Sequence, residues 1–109
     1  MNWKVLLFET QRGEKPVEKF IISKSPQTKA KTAHLIDLLE IHGNILGMPH
    51  SKRLIKGLYE LRIRGKEEMR ILYCFKGKDI YLLHGFKKET QKIPNKEIKI
   101  ALKRIRLLT

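Results

Sequence analysis

The sequence predicts an α+β fold in the order β-α-α-β-β-β-α, in which a small antiparallel or mixed sheet carries an N-terminal helical hairpin and a C-terminal helix. Three observations indicate this order. An apolar run opens the chain, two helical patterns that begin with proline follow, and three strand-like runs with tight turns precede an amphipathic helix. The length of 109 residues fits one compact domain, so we assign residues 1–109 to a single domain.

The first half of the chain predicts one strand and two helices. Residues 3–8 (WKVLLF) are almost continuously apolar, which is typical of a central strand. Pro16 suits the first turn of a short helix, and Ser25–Pro26 combines a capping side chain with a proline at the start of a longer one. We expect the longer helix to end near His42, before Gly43, and the two helices to form a hairpin.

The second half predicts a meander of three strands and a last helix. We expect residues 43–57 to form a loop and strands to follow at 58–64, 68–75 and 79–87, because glycine–lysine turns separate these runs. Pro94 opens the last helix, whose apolar positions recur with helical spacing. They are Ile98, Ala101, Leu102, Ile105 and Leu108. We expect the helices to pack on one face of the sheet.

Positive charge dominates the composition. The formal net charge is +13, from 24 Lys and Arg against 11 Asp and Glu. The first 47 residues carry 7 basic and 5 acidic residues, whereas the remaining 62 carry 17 and 6. Because each neutralised phosphate releases bound counterions, such concentrated charge favours a polyanionic partner. The alternative is a basic surface that only maintains solubility.

The composition also indicates a cytoplasmic protein. No apolar run reaches the roughly 18 residues of a membrane-spanning helix. The apolar start contains Lys4 and lacks a small-residue cleavage site, so we do not expect a signal peptide. Cys74 is the only cysteine, which fits a reducing compartment and a core position for its side chain.

Basic residues of the second half are predicted to share one surface. In a strand over 58–64, alternation assigns Tyr59, Leu61 and Ile63 to the core face and Glu60, Arg62 and Arg64 to the other face. The hairpin partner adds Arg70, the third strand ends with His84, Lys87 and Lys88, and the preceding loop carries Lys52, Arg53 and Lys56. Cations that face each other across strands are unfavourable unless an anion joins them, so the set predicts a concave phosphate-binding surface. Exposed strands that carry Arg and Lys only for solubility are the alternative.

The residue types limit the chemistry of such a surface. The sequence lacks clustered carboxylates for a two-metal nuclease, zinc-type His and Cys spacing and a glycine-rich phosphate loop, so we expect no metal and no cofactor. RNA can be cleaved without metal because its 2′-hydroxyl is an internal nucleophile. Arg suits the stabilisation of charge on the phosphate, while a Lys among other cations or His84 suits proton transfer.

Residues 54–104 resemble the RelE/ParE toxin superfamily, and most closely its HigB-like, phage-protein-like branch. The motifs are an L-x-E-L-R strand that ends at Arg62, R-x-x-Y from Arg70 to Tyr73, an H-G-F-K-K strand end at 84–88, and P-x-x-E-I-x-x-A from Pro94. No single motif is specific, but their ordered set is. The N-terminal half agrees in layout.

The resemblance implies the toxin of a type II toxin–antitoxin system, a ribosome-dependent, metal-independent mRNA endonuclease that inhibits translation and arrests growth. It implies the ribosome, mRNA and a cognate antitoxin as partners, the last HigA-like with a helix-turn-helix. The implied catalytic residues are Arg62, Arg64, Arg70 and Lys87, with His84 and Tyr73 as proton-transfer candidates. Lys52, Arg53, Lys56 and Lys88 are the implied RNA-binding residues.

Two departures from the family pattern leave the general base open. Related toxins often carry a catalytic Tyr or His late in the chain, where this sequence has Lys92–Ile93. Ile93 also replaces a Thr that commonly caps the last helix.

Two other functions stay open at the level of sequence. A ParE-like toxin that binds DNA gyrase would share the scaffold, because a fold does not determine a function. A non-catalytic nucleic-acid-binding module would need only the positive charge.

Overall fold

The computed structural model describes residues 3–108, whose secondary structure confirms the predicted α+β class. The elements in chain order are β1 (Lys4–Leu7), α1 (Pro16–Ile22), α2 (Pro26–His42), β2 (Ser51–Ile55), β3 (Leu58–Ile63), β4 (Met69–Lys76), β5 (Asp79–Lys87) and α3 (Asn95–Leu107). A short 3₁₀ turn at Gly43–Ile45 follows α2. Within residues 3–108, none of the helices has the length and apolar character needed to cross a membrane.

The five strands form one mixed sheet in the order β1-β5-β4-β3-β2. β1 runs parallel to β5, and the other neighbours are antiparallel, which confirms the meander of β3, β4 and β5. The prediction that the first strand is central is wrong, because β1 lies at an edge of the sheet. Its Val5 and Leu7 pack into the core beneath the helices. The apolar run therefore reflects the burial of side chains on the sheet's faces and not the number of neighbouring strands.

The prediction of a loop over 43–57 is wrong for β2, which pairs with β3 and forms the other edge of the sheet. β2 begins with the polar run Ser51, Lys52 and Arg53, of which the last two are exposed. Such a strand lacks the apolar alternation that marks a half-buried strand, and charged side chains are common at sheet edges.

Helices cover both faces of the sheet: the helical hairpin packs on one face, as predicted, whereas α3 packs on the opposite face and not beside the hairpin. On the hairpin face, α1 and α2 bury Val17 and Leu39 against Leu61 and Ile71. On the opposite face, here called the α3 face, the predicted apolar stripe of α3 packs on residues such as Leu72. β4 separates the two cores and is buried from Met69 to Cys74. Cys74 thus lies in the core, where burial raises its pKa to about 11.

The N-terminus of α2 is held by the turn between β3 and β4. As predicted, Ser25 caps the helix, and its Oγ accepts a hydrogen bond from the Thr28 amide (3.3 Å). Glu67 in the turn accepts hydrogen bonds from Ser25 N (3.2 Å), Ser25 Oγ (2.6 Å) and Thr28 Oγ1 (2.5 Å). These hydrogen bonds lower the pKa of Glu67 to about 2. The contact holds the end of β3 close to α2.

Candidate functional site

Polar residues gather on the α3 face, where β3 ends, β4 begins and β5 ends. Arg62 on β3 pairs with Arg70 on β4, which in turn pairs with Phe86 on β5. Because residues paired across strands point to the same side of a sheet, these three share the α3 face. Leu61 and Ile63 lie in the core of the hairpin face, which confirms the predicted alternation in β3.

Arg70 occupies this face as a buried, paired cation. Only 2% of the residue is exposed, with its Nε 3.1 Å from Glu60 Oε1 and its Nη1 3.0 Å from Glu68 Oε2. The contact with Glu60 is an ion pair without hydrogen-bond geometry, whereas Nη1 also donates to the Met69 carbonyl (2.9 Å). The sequence analysis predicts Arg70 as part of a phosphate-binding surface. The structure corrects this prediction, because two carboxylates balance the charge of Arg70.

Glu68 links the buried pair to the surface. Burial acts to raise the pKa of Glu68, but the hydrogen bond and positive charge of Arg70, together with the charge of Arg64 and a hydrogen bond from the Gly65 backbone, lower that pKa. Glu68 Oε2 also lies 3.9 Å from Arg64 Nε, just beyond β3, and the side chain of Arg64 is 60% exposed. Arg64 thus remains accessible to a ligand.

Arg62 is half-buried and incompletely hydrogen-bonded. Its Nη1 donates to Met48 Sδ (3.1 Å), a weak acceptor. Its Nε is buried and has no hydrogen-bond partner among residues 3–108. A buried guanidinium donor without an acceptor is unusual.

His84 forms a pair with Glu97 on the same face. The Nε2 of His84 lies 2.7 Å from Glu97 Oε1, and both side chains are largely buried. The ring of His84 stacks with Phe86 at a centroid distance of 5.6 Å. A carboxylate that holds one ring nitrogen fixes the orientation of the imidazole and leaves the other nitrogen for proton transfer.

Sequence reasoning missed the partners of these cations. Strand alternation places Glu60 on the same strand face as Arg62. This placement could have indicated that Glu60 pairs with a cation of that face, which is Arg70. Glu97 stands in the P-x-x-E motif, but only the packing of α3 on β5 brings it to His84.

Two of the predicted catalytic residues lie on the hairpin face. Tyr73 is buried in its core, its hydroxyl makes a short hydrogen bond with Ser51, and burial raises its pKa to about 12. Lys87 is exposed and pairs with Met69, a residue of the same core, so the register directs it away from Arg62.

The residues predicted to bind RNA are spread over both faces. Lys52 is opposite Glu60 and therefore on the α3 face, whereas Arg53 is opposite Tyr59 on the hairpin face. Lys56 is exposed in the turn between β2 and β3. Lys88 stabilises the loop before α3, because its Nζ donates to the carbonyls of Thr90 (2.7 Å) and Gln91 (3.0 Å).

The arrangement on the α3 face combines anion binding with proton transfer. Arg62 on this face and Arg64 just beyond the end of β3 offer guanidinium donors, and the His84–Glu97 pair offers an oriented imidazole. Within residues 3–108, no three His, Cys, Asp or Glu side chains gather where they could share a metal ion. A phosphate ester is the class of ligand that fits these groups.

Comparison with known proteins identifies the family. No curated protein matches the chain significantly. The profile of the family described as "Phage derived protein Gp49-like (DUF891)" matches residues 19–106, which extend from α1 through nearly all of α3. The family is known among the RelE-like toxins. The chain therefore belongs to the Gp49-like family of phage-derived, toxin-like proteins.

Proposed function

We propose that this protein is the toxin of a type II toxin–antitoxin system and cleaves mRNA on the ribosome as a metal-independent endonuclease of the HigB-like kind. Family membership supports the toxin role. The observation that carries the cleavage reaction is the presence of Arg62 and the His84–Glu97 pair on one face of three neighbouring strands.

In the proposed reaction, Arg62 and Arg64 bind the scissile phosphate. Negative charge on the phosphate oxygens grows as the 2′-hydroxyl attacks, and permanently charged guanidinium groups stabilise that charge without proton transfer. The guanidinium of half-buried Arg62, whose Nη1 donates to the weak acceptor Met48 Sδ, and the exposed side chain of Arg64 support this role. Lys52 on the same face adds a contact for the RNA backbone.

His84 is the proposed proton-transfer residue. It accepts the proton of the 2′-hydroxyl, while Glu97 holds the ring in place. As the 2′-oxygen attacks phosphorus, the P–O5′ bond breaks, a 2′,3′-cyclic phosphate remains, and water protonates the departing 5′-oxygen. Arg70 acts as a positioning residue, because it is buried between Glu60 and Glu68 and anchors the strands that carry the site. Tyr73 and Lys87 are left out of the proposed site, since they lie on the hairpin face.

A neighbouring antitoxin is the proposed partner that neutralises the protein. The site is basic at Arg62, Arg64 and Lys52, so an acidic or helical segment of a HigA-like, helix-turn-helix antitoxin would cover it or block entry to the ribosome.

Cleavage of mRNA in a translating extract tests the proposal. Addition of the purified protein should produce new 5′ ends that map to fixed positions within codons, and omission of ribosomes should suppress them. Intact mRNA in an extract that translates normally before the addition would refute the proposed reaction.

A further inference from the structure

A small pocket rich in positive charge lies between α2, the loop before β2 and the end of β3. Its volume is about 250 Å³. The lining residues are Lys31, His34, Leu35, Pro49, His50, Arg62 and Arg64. Three of them are cations, two are histidines and none is acidic. We call it the α2–β3 pocket.

Lys31 reaches this pocket through a specific backbone contact. Its Nζ donates to the carbonyl of Arg64 (2.8 Å). Gly65 makes the approach possible, because a Cβ at this position would lie 2.5 Å from Lys31 Nζ, and its φ of +147° disfavours other residues. An ammonium group has three N–H donors, so two remain for a ligand.

Arg62 and Arg64, the other cations of the pocket, also have hydrogen-bond donors or charge that no close acceptor or carboxylate balances. The buried Nε of Arg62 has no hydrogen-bond partner within residues 3–108, and Arg64 has its nearest carboxylate oxygen, on Glu68, at 3.9 Å. Like charges that converge in this way repel each other, and an anion between them removes the repulsion.

The size and lining of the pocket indicate which chemical group it binds. Its volume is below the roughly 300–1,000 Å³ of pockets that enclose drug-sized molecules. Leu35 and Pro49 are its apolar lining residues, and no Phe, Tyr or Trp side chain lines it among the described residues. A phosphate group fits these properties better than a nucleobase does.

We propose that the α2–β3 pocket binds one backbone phosphate of single-stranded RNA, separate from the scissile phosphate on the α3 face. Lys31 is the cation that belongs to this pocket alone, whereas Arg62 and Arg64 lie between the two sites and contribute to both. This inference rests on the proposed function for the identity of the RNA as substrate. The phosphate bound in the α2–β3 pocket sets the position of the RNA strand relative to His84.

Binding of a 2′-O-methylated hexanucleotide, which cannot be cleaved, tests the pocket without the ribosome. Its Kd is measured by fluorescence anisotropy over a range of salt concentrations for wild type, Lys31→Gln and the matched control Lys29→Gln, an exposed residue on α2 outside the pocket. Lys31→Gln should weaken binding and reduce the slope of log Kd against log salt by about 0.7–1, whereas Lys29→Gln should change both much less. Lys31→Arg should restore most of the affinity, and thermal unfolding verifies that each variant is folded.

Three outcomes would overturn the proposed phosphate site. The wild type does not bind the hexanucleotide, or Lys31→Gln and Lys29→Gln lose the same amount of affinity for it. The third outcome is that a poly-glutamate peptide of matched charge binds with the same dependence on Lys31. The test separates this inference from the proposed function. Lys31-independent binding by a protein that cleaves mRNA would refute the pocket alone. Lys31-dependent binding by a protein that leaves mRNA intact would refute the cleavage reaction alone.

Discussion

Arg70 shows how the environment of one residue changes its role. A guanidinium in an exposed cleft would bind substrate, but Arg70 is enclosed by Glu60 and Glu68 and has almost no accessible surface. Glu60 is itself only 5% exposed. Removal of Arg70 therefore leaves a carboxylate buried without its counter-charge.

We predict that Arg70→Ala lowers the free energy of unfolding by about 3–5 kcal/mol, the typical effect of breaking a buried ion pair. Urea denaturation followed by circular dichroism measures it. The double variant Glu60→Leu/Arg70→Met should recover most of the loss, because it removes both buried charges. A fully stable Arg70→Ala would show that water reaches Glu60 and that the pair is not structurally important.

His84 is the residue on which the proposed chemistry depends. His84→Ala should reduce the rate of mRNA cleavage in a translating extract by about 10²–10⁴-fold, the range typical of a lost proton-transfer group. Arg62→Ala should reduce it by about 10²–10³-fold through the loss of charge stabilisation. His42→Ala is the matched control, since His42 is exposed at the end of α2. Wild-type activity in folded His84→Ala would exclude His84 from the reaction.

At the level of elements, α2 depends on a carboxylate supplied from elsewhere in the chain. Its first turn contains no acidic residue, and Glu67 of the β3–β4 turn provides both hydrogen-bond acceptors and negative charge at the helix N-terminus. This contact joins the helical hairpin to the end of the sheet that carries the candidate site.

The depressed pKa of Glu67 predicts the pH dependence of this contact. The folded-state value of about 2 lies below the ordinary 4.5, so the stabilisation is complete above pH 4.5 and is lost as the pH falls towards 2. Glu67→Gln should be less stable than wild type at pH 7, and the difference should shrink between these pH values. Denaturation at several pH values measures it, with the exposed Glu89→Gln as control. A difference that does not change with pH would contradict a role for the ionised carboxylate.

The packing of α1 on β5 depends on a missing side chain. Gly85 faces the ring of Phe20, and a Cβ at this position would lie 2.5 Å from Phe20 Cδ2. Gly85→Ala should therefore destabilise the fold by about 1–3 kcal/mol through overpacking, which thermal unfolding can measure. Gly85→Ala combined with Phe20→Leu should recover part of the loss. No recovery would indicate that the backbone of β5 itself is strained.

At the scale of the whole molecule, the two faces of the sheet differ in the size and polarity of what they bury. The hairpin face holds the larger core, including Tyr73, and the α3 face holds the polar cluster at one end. The net charge of +13 acts over the whole surface and would draw the protein to RNA before any specific contact forms.

Expression of the protein in growing cells tests the function at this scale. Growth should stop, and incorporation of labelled amino acids should fall before DNA synthesis does. Co-expression of the neighbouring antitoxin reading frame should restore growth. Early double-strand breaks with continued translation would instead indicate a gyrase-directed toxin, and salt-sensitive RNA binding without growth arrest would indicate a non-catalytic module.

Local patterns in the sequence account for most of the elements. Proline and serine positions predicted the starts of α1, α2 and α3, and glycine turns predicted the β3-β4-β5 meander. β2 escaped prediction because an edge strand with polar residues has no apolar period. The edge position of β1 escaped it because strand order depends on pairing with β5, more than 70 residues away in the chain.

The sequence by itself determined the α+β class, the face alternation of β3 and the excess of positive charge, because periodicity and composition are local properties of the chain. The tertiary structure decided which cations are paired with carboxylates and which face of the sheet each residue occupies. It buried Arg70 between Glu60 and Glu68, paired His84 with Glu97, and placed Tyr73 and Lys87 on the opposite face. These outcomes depend on strand register and on the packing of α3, and the free energy of a charge is set by the groups that folding brings next to it.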